Sequence, residues 1–272
     1  MNTTFNLTIF INTSDGFEDC WNPFFILFNK HWPNCNYQIL LNTEFKDYKF
    51  PGLDITCTKV HIGINERKLT WSECLIRGLE KVETPYVLYL QEDYFFETSV
   101  NVDIISSFLN KMNSIKDIKY IGLTDIGNCG PFKPYFEDNN LVEVGNNNYR
   151  ISTQAAMWDK ETLLSYVLPH ENGWMFEIFG TIRSKKRSDL FLTSNRDLFS
   201  RYNNPIISYE HTGIIKGKWH VNIPKLFKSN EIEVDFNERG FYESKGIILR
   251  KIETGKNLLK NPILFFRGII GK

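Results

Sequence analysis

Two adjacent carboxylates, Glu92 and Asp93, are the side chains of this sequence best placed for metal and phosphate chemistry. They come directly after Tyr86–Leu90, a continuous apolar run typical of a strand buried on both faces of a parallel sheet. In open α/β sheets, ligands bind beyond the carboxyl ends of the strands. Carboxylate oxygens at such a place suit Mg²⁺ or Mn²⁺, which can neutralise a diphosphate as it departs from carbon. The alternative is an exposed acidic turn that binds nothing.

The pattern around this pair predicts alternating strands and helices, and therefore an α/β fold. Short apolar segments between polar turns predict strands, and segments with helical periodicity predict helices. One helix opens at Thr70, where Thr70 and Glu73 form a capping-box pattern, and another opens near Asp159 as its cap. The predicted strands cover 5–12, 37–41, 53–60, 86–90, 119–123, 150–158 and 205–209, and the remaining helices cover 21–31, 102–112 and 173–183.

The run VLYLQEDYFF at 87–96 resembles the strand and D-x-D segment of GT-A-fold glycosyltransferases, with Gln91, Glu92 and Asp93 at the three motif positions. Asp93 matches the final acidic residue, whereas Gln91 stands where the motif has Asp. The stretch 10–44 also resembles the opening of bacterial polysaccharide-type glycosyltransferases, whose loop after the first strand receives the nucleotide. The resemblance implies a GT-A-like, Rossmann-related and mostly parallel central sheet flanked by helices, with a smaller acceptor-side subregion.

A further carboxylate, Glu177, lies three positions after Trp174, and on a helix that spacing places both on one face. The two match the acidic helix that GT-A enzymes carry after their acceptor-side strand. The resemblance implies an inverting transfer in which Asp93 and Glu177 are catalytic, Glu177 takes the proton of the acceptor hydroxyl, and Trp174 holds the acceptor sugar. The alternative is a surface glutamate and a core tryptophan. Asp159 and Glu161 are weaker candidates for the base, because acids at helix starts are usually caps.

The segment 211–220 is the third candidate element. Its two glycines permit close approach of the backbone, and its lysines and histidines can meet diphosphate oxygens or a metal. The resemblance implies that a histidine or basic residue here closes the donor site, and the sequence does not distinguish His211 from His220. The alternative is a basic surface hairpin.

The predicted ligand contacts combine these segments with two early loops. By position on those loops, Thr13, Asp15 and Arg67 are predicted contacts of the base, ribose or phosphate. The full predicted donor set is Thr13, Asp15, Arg67, Glu92, Lys216 and Lys218. The predicted ligands of Mn²⁺ or Mg²⁺ are Asp93, Glu92 and His211.

The chain is predicted to form one continuous domain. Strand and helix alternate regularly up to about residue 125, after which the sequence becomes rich in Gly, Pro and Asn, and no long linker separates the halves. We expect 1–125 to bind the nucleotide-sugar donor, and 126–272 to bind the acceptor and include the C-terminal tail. A sugar nucleotidyltransferase is the alternative enzyme, although 12–18 lacks the glycine-rich, basic phosphate loop expected of one. A non-catalytic glycan-binding protein of the same fold is the third possibility.

Charge and hydropathy limit the partners. The 32 basic and 32 acidic residues cancel, which argues against nucleic acid as a partner. The N-terminus has no basic segment followed by an apolar stretch, and no window reaches the roughly 18 apolar residues of a spanning helix. These features predict a cytoplasmic protein, and the resemblance implies that it acts on a nucleotide-diphosphate sugar and a glycan or lipid-linked acceptor. The basic and apolar tail at 258–270 suits peripheral contact with the inner face of a membrane, or packing on the core.

Overall fold

The computed structural model describes residues 6–61, 63, 67–243, 267, 268 and 270. Its strands are β1 Leu7–Asn12, β2 Gln38–Asn42, β3 Ile55–Cys57, β4 Tyr86–Gln91, β5 Ile118–Gly122, β6 Phe132–Pro134, β7 Leu141–Val144, β8 Ala156–Asp159, β9 Leu190–Ser194, β10 Ile214–Ile215 and β11 Lys218–Trp219. Its helices are α1 Glu18–His31, α2 Trp71–Leu79, α3 Val102–Ser114, α4 Lys160–Tyr166, α5 Gly173–Ser184 and α6 Ile223–Ser229, and a 3₁₀ turn at Asp15–Phe17 precedes α1.

A nine-stranded sheet in the order β3-β2-β1-β4-β8-β5-β9-β7-β6 forms the centre of the described structure. The first four strands in this order pair in parallel. β8 runs antiparallel to both β4 and β5, and β7 runs antiparallel to both β9 and β6. All other strands share one direction, so the sheet is mostly parallel. The predicted α/β class, with a mostly parallel central sheet flanked by helices, is confirmed.

The alternation of side chains along β1 explains the layering. Ile9 and Ile11 point into a core beneath α1, α3 and α6, whereas Phe10 points into the opposite core beneath α2, α4 and α5. A strand covered on both faces must be apolar at every position, and the continuous run of β4 fulfils this condition.

Local capping signals were predicted correctly. Thr70 caps α2 and accepts a hydrogen bond from the Glu73 amide, while the Glu73 carboxylate accepts one from the Thr70 amide, which completes the capping box. Asp159 caps α4 through the amide of Thr162. These contacts span three residues, so the local sequence determines them.

The predicted strand at 205–209 is wrong. Ile206 and Ile207 are buried, but the segment lies against the core as a loop and only Tyr209 forms an isolated bridge, to Phe96. Burial of an apolar run therefore does not require a ladder here. The predicted strand at 150–158 is shorter, beginning at Ala156, and β6, β7 and β9 were not predicted. The insertion of β8 between β4 and β5 interrupts the regular alternation expected for 1–125.

Within the described ranges, no helix combines the length and the apolar character needed to cross a bilayer. The tail at 258–270 lies outside the described residues except for 267, 268 and 270, so its contact with a membrane stays a prediction. The functional division at residue 125 also stays a prediction.

Candidate active site

The order of the strands reverses between β1 and β4. From β1 the chain proceeds outward to β2 and β3, then returns to place β4 on the other side of β1. Asn12 and Gln91, the last residues of these two parallel strands, are paired in register. Ligands of open α/β sheets bind in the crevice at such a reversal, beyond the carboxyl ends. Thr13 and Glu92 are the first residues past this edge.

A cavity of about 580 Å³ opens at this point, which is within the usual size of small-molecule sites. Its lining comes from the loop after β1, the start of α2, the end of β4, the start of α5 and the β10–β11 hairpin. Five of the predicted site residues line it together: Thr13, Glu92, Asp93, Trp174 and Lys216. Residues far apart in sequence therefore meet at one site.

Asp93 is buried at the floor of the cavity, with 5% of its surface exposed. Its Oδ2 accepts hydrogen bonds from the Thr212 hydroxyl and, at 3.0 Å, from the Ile214 amide. Its Oδ1 is buried and has no hydrogen-bond partner among the described residues. Burial raises the pKa of Asp93, and the bonds from Thr212 and Ile214 oppose that rise. One carboxylate oxygen is thus held by the protein, and the other receives no hydrogen bond from the described residues.

Glu92 is also buried, beside Asp93. Its pKa is raised well above the usual range, first by burial and then by the negative charge of Asp93, and Arg239 opposes the rise. Two neighbouring carboxylates out of water favour either a proton or a nearby cation. A positive ligand would relieve this repulsion.

The β10–β11 hairpin brings its groups to Asp93 through a tight turn. Lys216 and Gly217 form the turn with φ of 52° and 79°, the left-handed conformations required by the commonest two-residue hairpin loop. Gly213 precedes the hairpin, and a Cβ there would lie 2.4 Å from a ring carbon of Phe95 and 2.8 Å from the Asp93 carbonyl oxygen. A glycine is therefore needed for the loop to approach the β4 end this closely.

Glu177 lies on α5, one turn beyond the residues of that helix that line the cavity. Its Oε1 accepts hydrogen bonds from the amide (2.8 Å) and hydroxyl (2.9 Å) of Thr153 and a longer one from Ser152. No hydrogen bond to Oε2 occurs within the described residues. Burial raises the pKa of Glu177, and the Thr153 and Ser152 bonds oppose this. Tyr94, next to Asp93, donates to the Thr153 carbonyl at 2.9 Å, which connects the two acidic elements.

The other predicted site residues lie elsewhere. The Asp15 carboxylate accepts hydrogen bonds from the backbone amides of Glu44, Phe45 and Lys46. It therefore connects the loop after β2 to the turn that precedes α1. Arg67 pairs with Glu73 and lowers the pKa of that carboxyl to about 2. Lys218 and His211 are exposed, and neither contributes to the cavity lining. Their roles at the site stay predictions.

Several residues at the site were not predicted from the sequence. Phe17 and Trp71 add aromatic walls to the cavity, and Thr212 binds Asp93. Arg239 pairs with Asp19 and lies 4.7 Å from the centre of the Phe17 ring, so it fixes one wall from the far end of the chain. The capping-box position of Trp71, directly after Thr70, was a usable signal for its place at a helix start. Arg239 had no local signal.

The carboxylate pair is suited to an ion shared with a ligand. In the described parts of the chain, no group of three or more His, Cys, Asp or Glu side chains is placed to hold a metal. Mg²⁺ is commonly held by one or two carboxylates together with substrate phosphates, rather than by an all-protein cage. The unpartnered Oδ1 of Asp93 and the adjacent Glu92 fit that arrangement.

No protein-family model and no curated protein matches the chain. Solved structures of similar fold include a mycobacterial protein (TM-score 0.46, 11% identity, covering 88% of this chain and 76% of that one). They include S. aureus TarS 1-349, with a TM-score of 0.48 and 9% identity, covering 70% of this chain and 58% of that one. They also include glucosyl-3-phosphoglycerate synthase from Mycobacterium tuberculosis in complex with phosphoglyceric acid. Its TM-score is 0.44 and its identity 12%, and the match covers 84% of this chain and 81% of that one.

These structures resemble the chain in fold alone. The likenesses are distant, with no TM-score among the three above 0.48. This chain spans little more than half of the TarS fragment, at 58%. The fold is therefore defined by the chain's own strand order, and the chemistry must be argued from its own site.

Proposed function

We propose that this chain is a glycosyltransferase that moves a sugar from a nucleotide-diphosphate donor to a hydroxyl of a glycan or lipid-linked acceptor. The observation that carries the proposal is the buried Glu92–Asp93 pair, with the unpartnered Oδ1 of Asp93, at the strand-order reversal. Among the described lining residues, the two carboxylates face one basic side chain, that of Lys216, and a cation bound together with a diphosphate would supply further positive charge. The proposal does not include nucleic acid as a partner.

The donor lies in the cavity with its diphosphate toward Glu92 and Asp93. The β10–β11 hairpin covers this end, where Thr212 and the Ile214 amide keep Asp93 in place. Mg²⁺ or Mn²⁺ at the pair would supply positive charge to the departing diphosphate. The protein's own contribution is to hold both carboxylates in a buried position where they act strongly.

Glu177 is the proposed base. Thr153 fixes Oε1 through two hydrogen bonds, which leaves Oε2 to accept a proton. The acceptor oxygen attacks the anomeric carbon, the bond from that carbon to the diphosphate oxygen breaks, and the hydroxyl proton passes to Glu177. A raised pKa makes a carboxylate a better proton acceptor near neutral pH. Direct attack of this kind inverts the anomeric centre. Trp174, on the same helix, would stack on the acceptor sugar.

The experiment that tests the proposal is a set of thermal unfolding curves with UDP, GDP, CDP and dTDP, each with and without Mn²⁺. A ligand at 100 times its dissociation constant stabilises the folded state by about 2.7 kcal/mol. We expect one nucleotide to give a Mn²⁺-dependent stabilisation that Asp93→Asn abolishes. Asp54→Asn is the matched control, because Asp54 is an exposed acid outside the cavity.

Failure of every nucleotide to stabilise the protein would contradict the donor site and favour a non-catalytic glycan-binding protein. For a nucleotide that does bind, incubation of its sugar conjugates with glycan and lipid-linked acceptors tests transfer directly. Release of nucleotide diphosphate only in the presence of an acceptor is the expected result. Formation of a nucleotide sugar from a nucleoside triphosphate would instead identify a nucleotidyltransferase.

A further inference from the structure

We infer that the donor cavity selects a neutral sugar and discriminates against sugars that carry a carboxylate. The inference rests on the proposed function and extends it from the nucleotide diphosphate to the transferred group. It depends on the charges, the amides and the aromatic rings that surround the space beside Glu92 and Asp93.

The charged groups of the cavity are unequal in sign. Among the described lining residues, the acids are Glu92 and Asp93, and the only basic side chain is that of Lys216. A cation and the diphosphate that it accompanies approximately cancel one another, so the imbalance persists when the donor is bound. A sugar carboxylate would enter a buried region that already holds two like charges.

The guanidinium groups near the cavity are already paired. Arg239 directs its Nε and Nη2 atoms at Asp19, and Nη2 also donates to the Gly16 carbonyl at 2.8 Å. Arg67 pairs with the Glu73 carboxylate. Planar recognition of a carboxylate generally uses the two-pronged guanidinium of arginine. Neither arginine is among the described lining residues, so none of those residues offers a uronate carboxylate such a partner.

The uncharged lining suits hydroxyl groups. The Oδ1 of Asn172 caps α5 by accepting the Met175 amide, and no described residue accepts from its NH₂ group. The NH₂ group of Gln91 donates to the Tyr89 hydroxyl, and no described residue donates to its Oε1. The cavity thus presents both an amide donor and an amide acceptor. Neutral sugar hydroxyls can use both.

The indole ring of Trp71 at the cavity completes the match to a neutral pyranose. Trp71 packs against α5, where a Cβ on Gly173 would lie 3.6 Å from the indole, and its ring centre is 5.9 Å from that of Phe176. Indole faces present apolar area to the C–H faces of a sugar ring. Because packing fixes Trp71, little ordering of its side chain is needed on binding.

The test compares nucleotide sugars that differ only by CH₂OH against COO⁻ on the sugar. Dissociation constants of UDP-glucose and UDP-glucuronic acid, and of GDP-mannose and GDP-mannuronic acid, are measured with Mn²⁺ by calorimetry and by quenching of tryptophan fluorescence. Free UDP and GDP serve as references. For the nucleotide that binds, we expect the neutral conjugate to bind at least tenfold more tightly than the uronate.

A charge variant tests the physical cause. Gln91→Lys adds an ammonium group to the lining and should reduce the discrimination between the two conjugates at least threefold. Gln38→Lys makes the same change at the exposed start of β2, on the opposite edge of the sheet, and should leave the discrimination unchanged. Circular dichroism of each variant checks that the fold is retained.

The outcomes separate the inference from the function beneath it. Equal or tighter binding of the uronate overturns the neutral-sugar inference and leaves the donor site standing. Discrimination that Gln91→Lys does not alter overturns its electrostatic basis. If none of UDP, GDP, CDP and dTDP binds, alone or as a sugar conjugate, the proposed function fails and the inference fails with it.

Discussion

The acidic pair after β4 is buried and the lone glutamate of α5 is half-buried; the pKa values of all three carboxyls are raised, but their hydrogen bonding differs. Glu177 receives three hydrogen bonds on Oε1, all from Ser152 and Thr153. Within the described structure, Asp93 accepts side-chain hydrogen bonds on Oδ2 alone and Oδ1 has no partner, and Glu92 adds a second negative charge beside it.

This difference indicates different work for the two sites. The α5 carboxylate is complete within the protein and has an oxygen left to accept a proton. The pair after β4 places two like charges side by side out of water, which is unfavourable unless a cation or a proton is bound. Changes that affect one site and not the other therefore test the assignment of roles.

Loss of the base should give the largest effect. Glu177→Gln keeps the size of the side chain and removes its basicity, so we expect kcat to fall about 10²- to 10⁴-fold. The dissociation constant of the donor should stay within about twofold of wild type, because Glu177 is not among the lining residues of the donor cavity. Steady-state kinetics and calorimetry measure the two quantities. Glu161→Gln, at an exposed acid of α4, is the control, and an undiminished kcat in Glu177→Gln would remove Glu177 as the base.

Displacement of the hairpin should affect the β4 pair next. Gly213→Ala places a methyl group 2.4 Å from a Phe95 ring carbon and 2.8 Å from the Asp93 carbonyl oxygen, which cannot be accommodated without movement. We expect about 1–3 kcal/mol of destabilisation and roughly tenfold weaker donor binding. Gly145→Ala is the control, since its nearest neighbour would be an Asn147 side-chain atom at 3.6 Å. Normal donor affinity in Gly213→Ala would show that the hairpin does not position Asp93.

Relief of the charge repulsion should stabilise the protein without ligand. The folded-state pKa of Glu92 is raised, so its contribution to stability is present below the unfolded pKa and is lost as pH rises through the folded pKa. Glu92→Gln should therefore raise the free energy of unfolding at neutral pH by on the order of 1 kcal/mol, with little effect at pH near 4. Denaturant titrations without divalent ions measure this. Glu80→Gln, at an exposed site, should not raise the free energy of unfolding. An equal rise in Glu80→Gln would show that relief of the Glu92–Asp93 repulsion is not the cause.

Weakening the support of Glu177 should give the smallest effect. Thr153→Val removes the hydroxyl that donates to Oε1 of Glu177 and keeps the hydrogen bond from the backbone amide of residue 153. The pKa of Glu177 should rise further, so the ascending limb of the pH profile of kcat should move to higher pH. Thr153→Ser retains a hydroxyl and should preserve the wild-type profile. A pH titration of the Glu177 carboxyl by carbon-13 NMR gives this pKa without turnover. An unchanged pKa in Thr153→Val would contradict the role of Thr153.

The sequence revealed features that depend on local contacts. The capping box of α2 lies within four residues, and the apolar run of β4 reports burial on both faces directly. The acidic pair could be placed at a strand end for that reason. The site residues that arrive from a distance were harder, since Thr212 reaches Asp93 across 119 positions.

Long-range packing also explains the errors. The apolar residues at 205–209 are buried as a strand would be, but the backbone makes no ladder there. Asp15 lies on the predicted loop, yet its oxygens bind the amides of the neighbouring loop after β2. Arg239 reaches Asp19 across 220 positions, and no short-range pattern signals such a pair.

The role of the β4 pair in binding a cation together with a diphosphate is tested most directly by measuring Mn²⁺ binding in the presence of a nucleoside diphosphate. Electron paramagnetic resonance of the free ion monitors the binding. We expect the nucleotide identified by thermal unfolding to increase the affinity of the wild-type protein for Mn²⁺. Asp93→Asn should eliminate that increase, and Asp54→Asn should preserve it. Equal Mn²⁺ binding by wild type and Asp93→Asn in the presence of that nucleotide would contradict the assignment of the β4 pair.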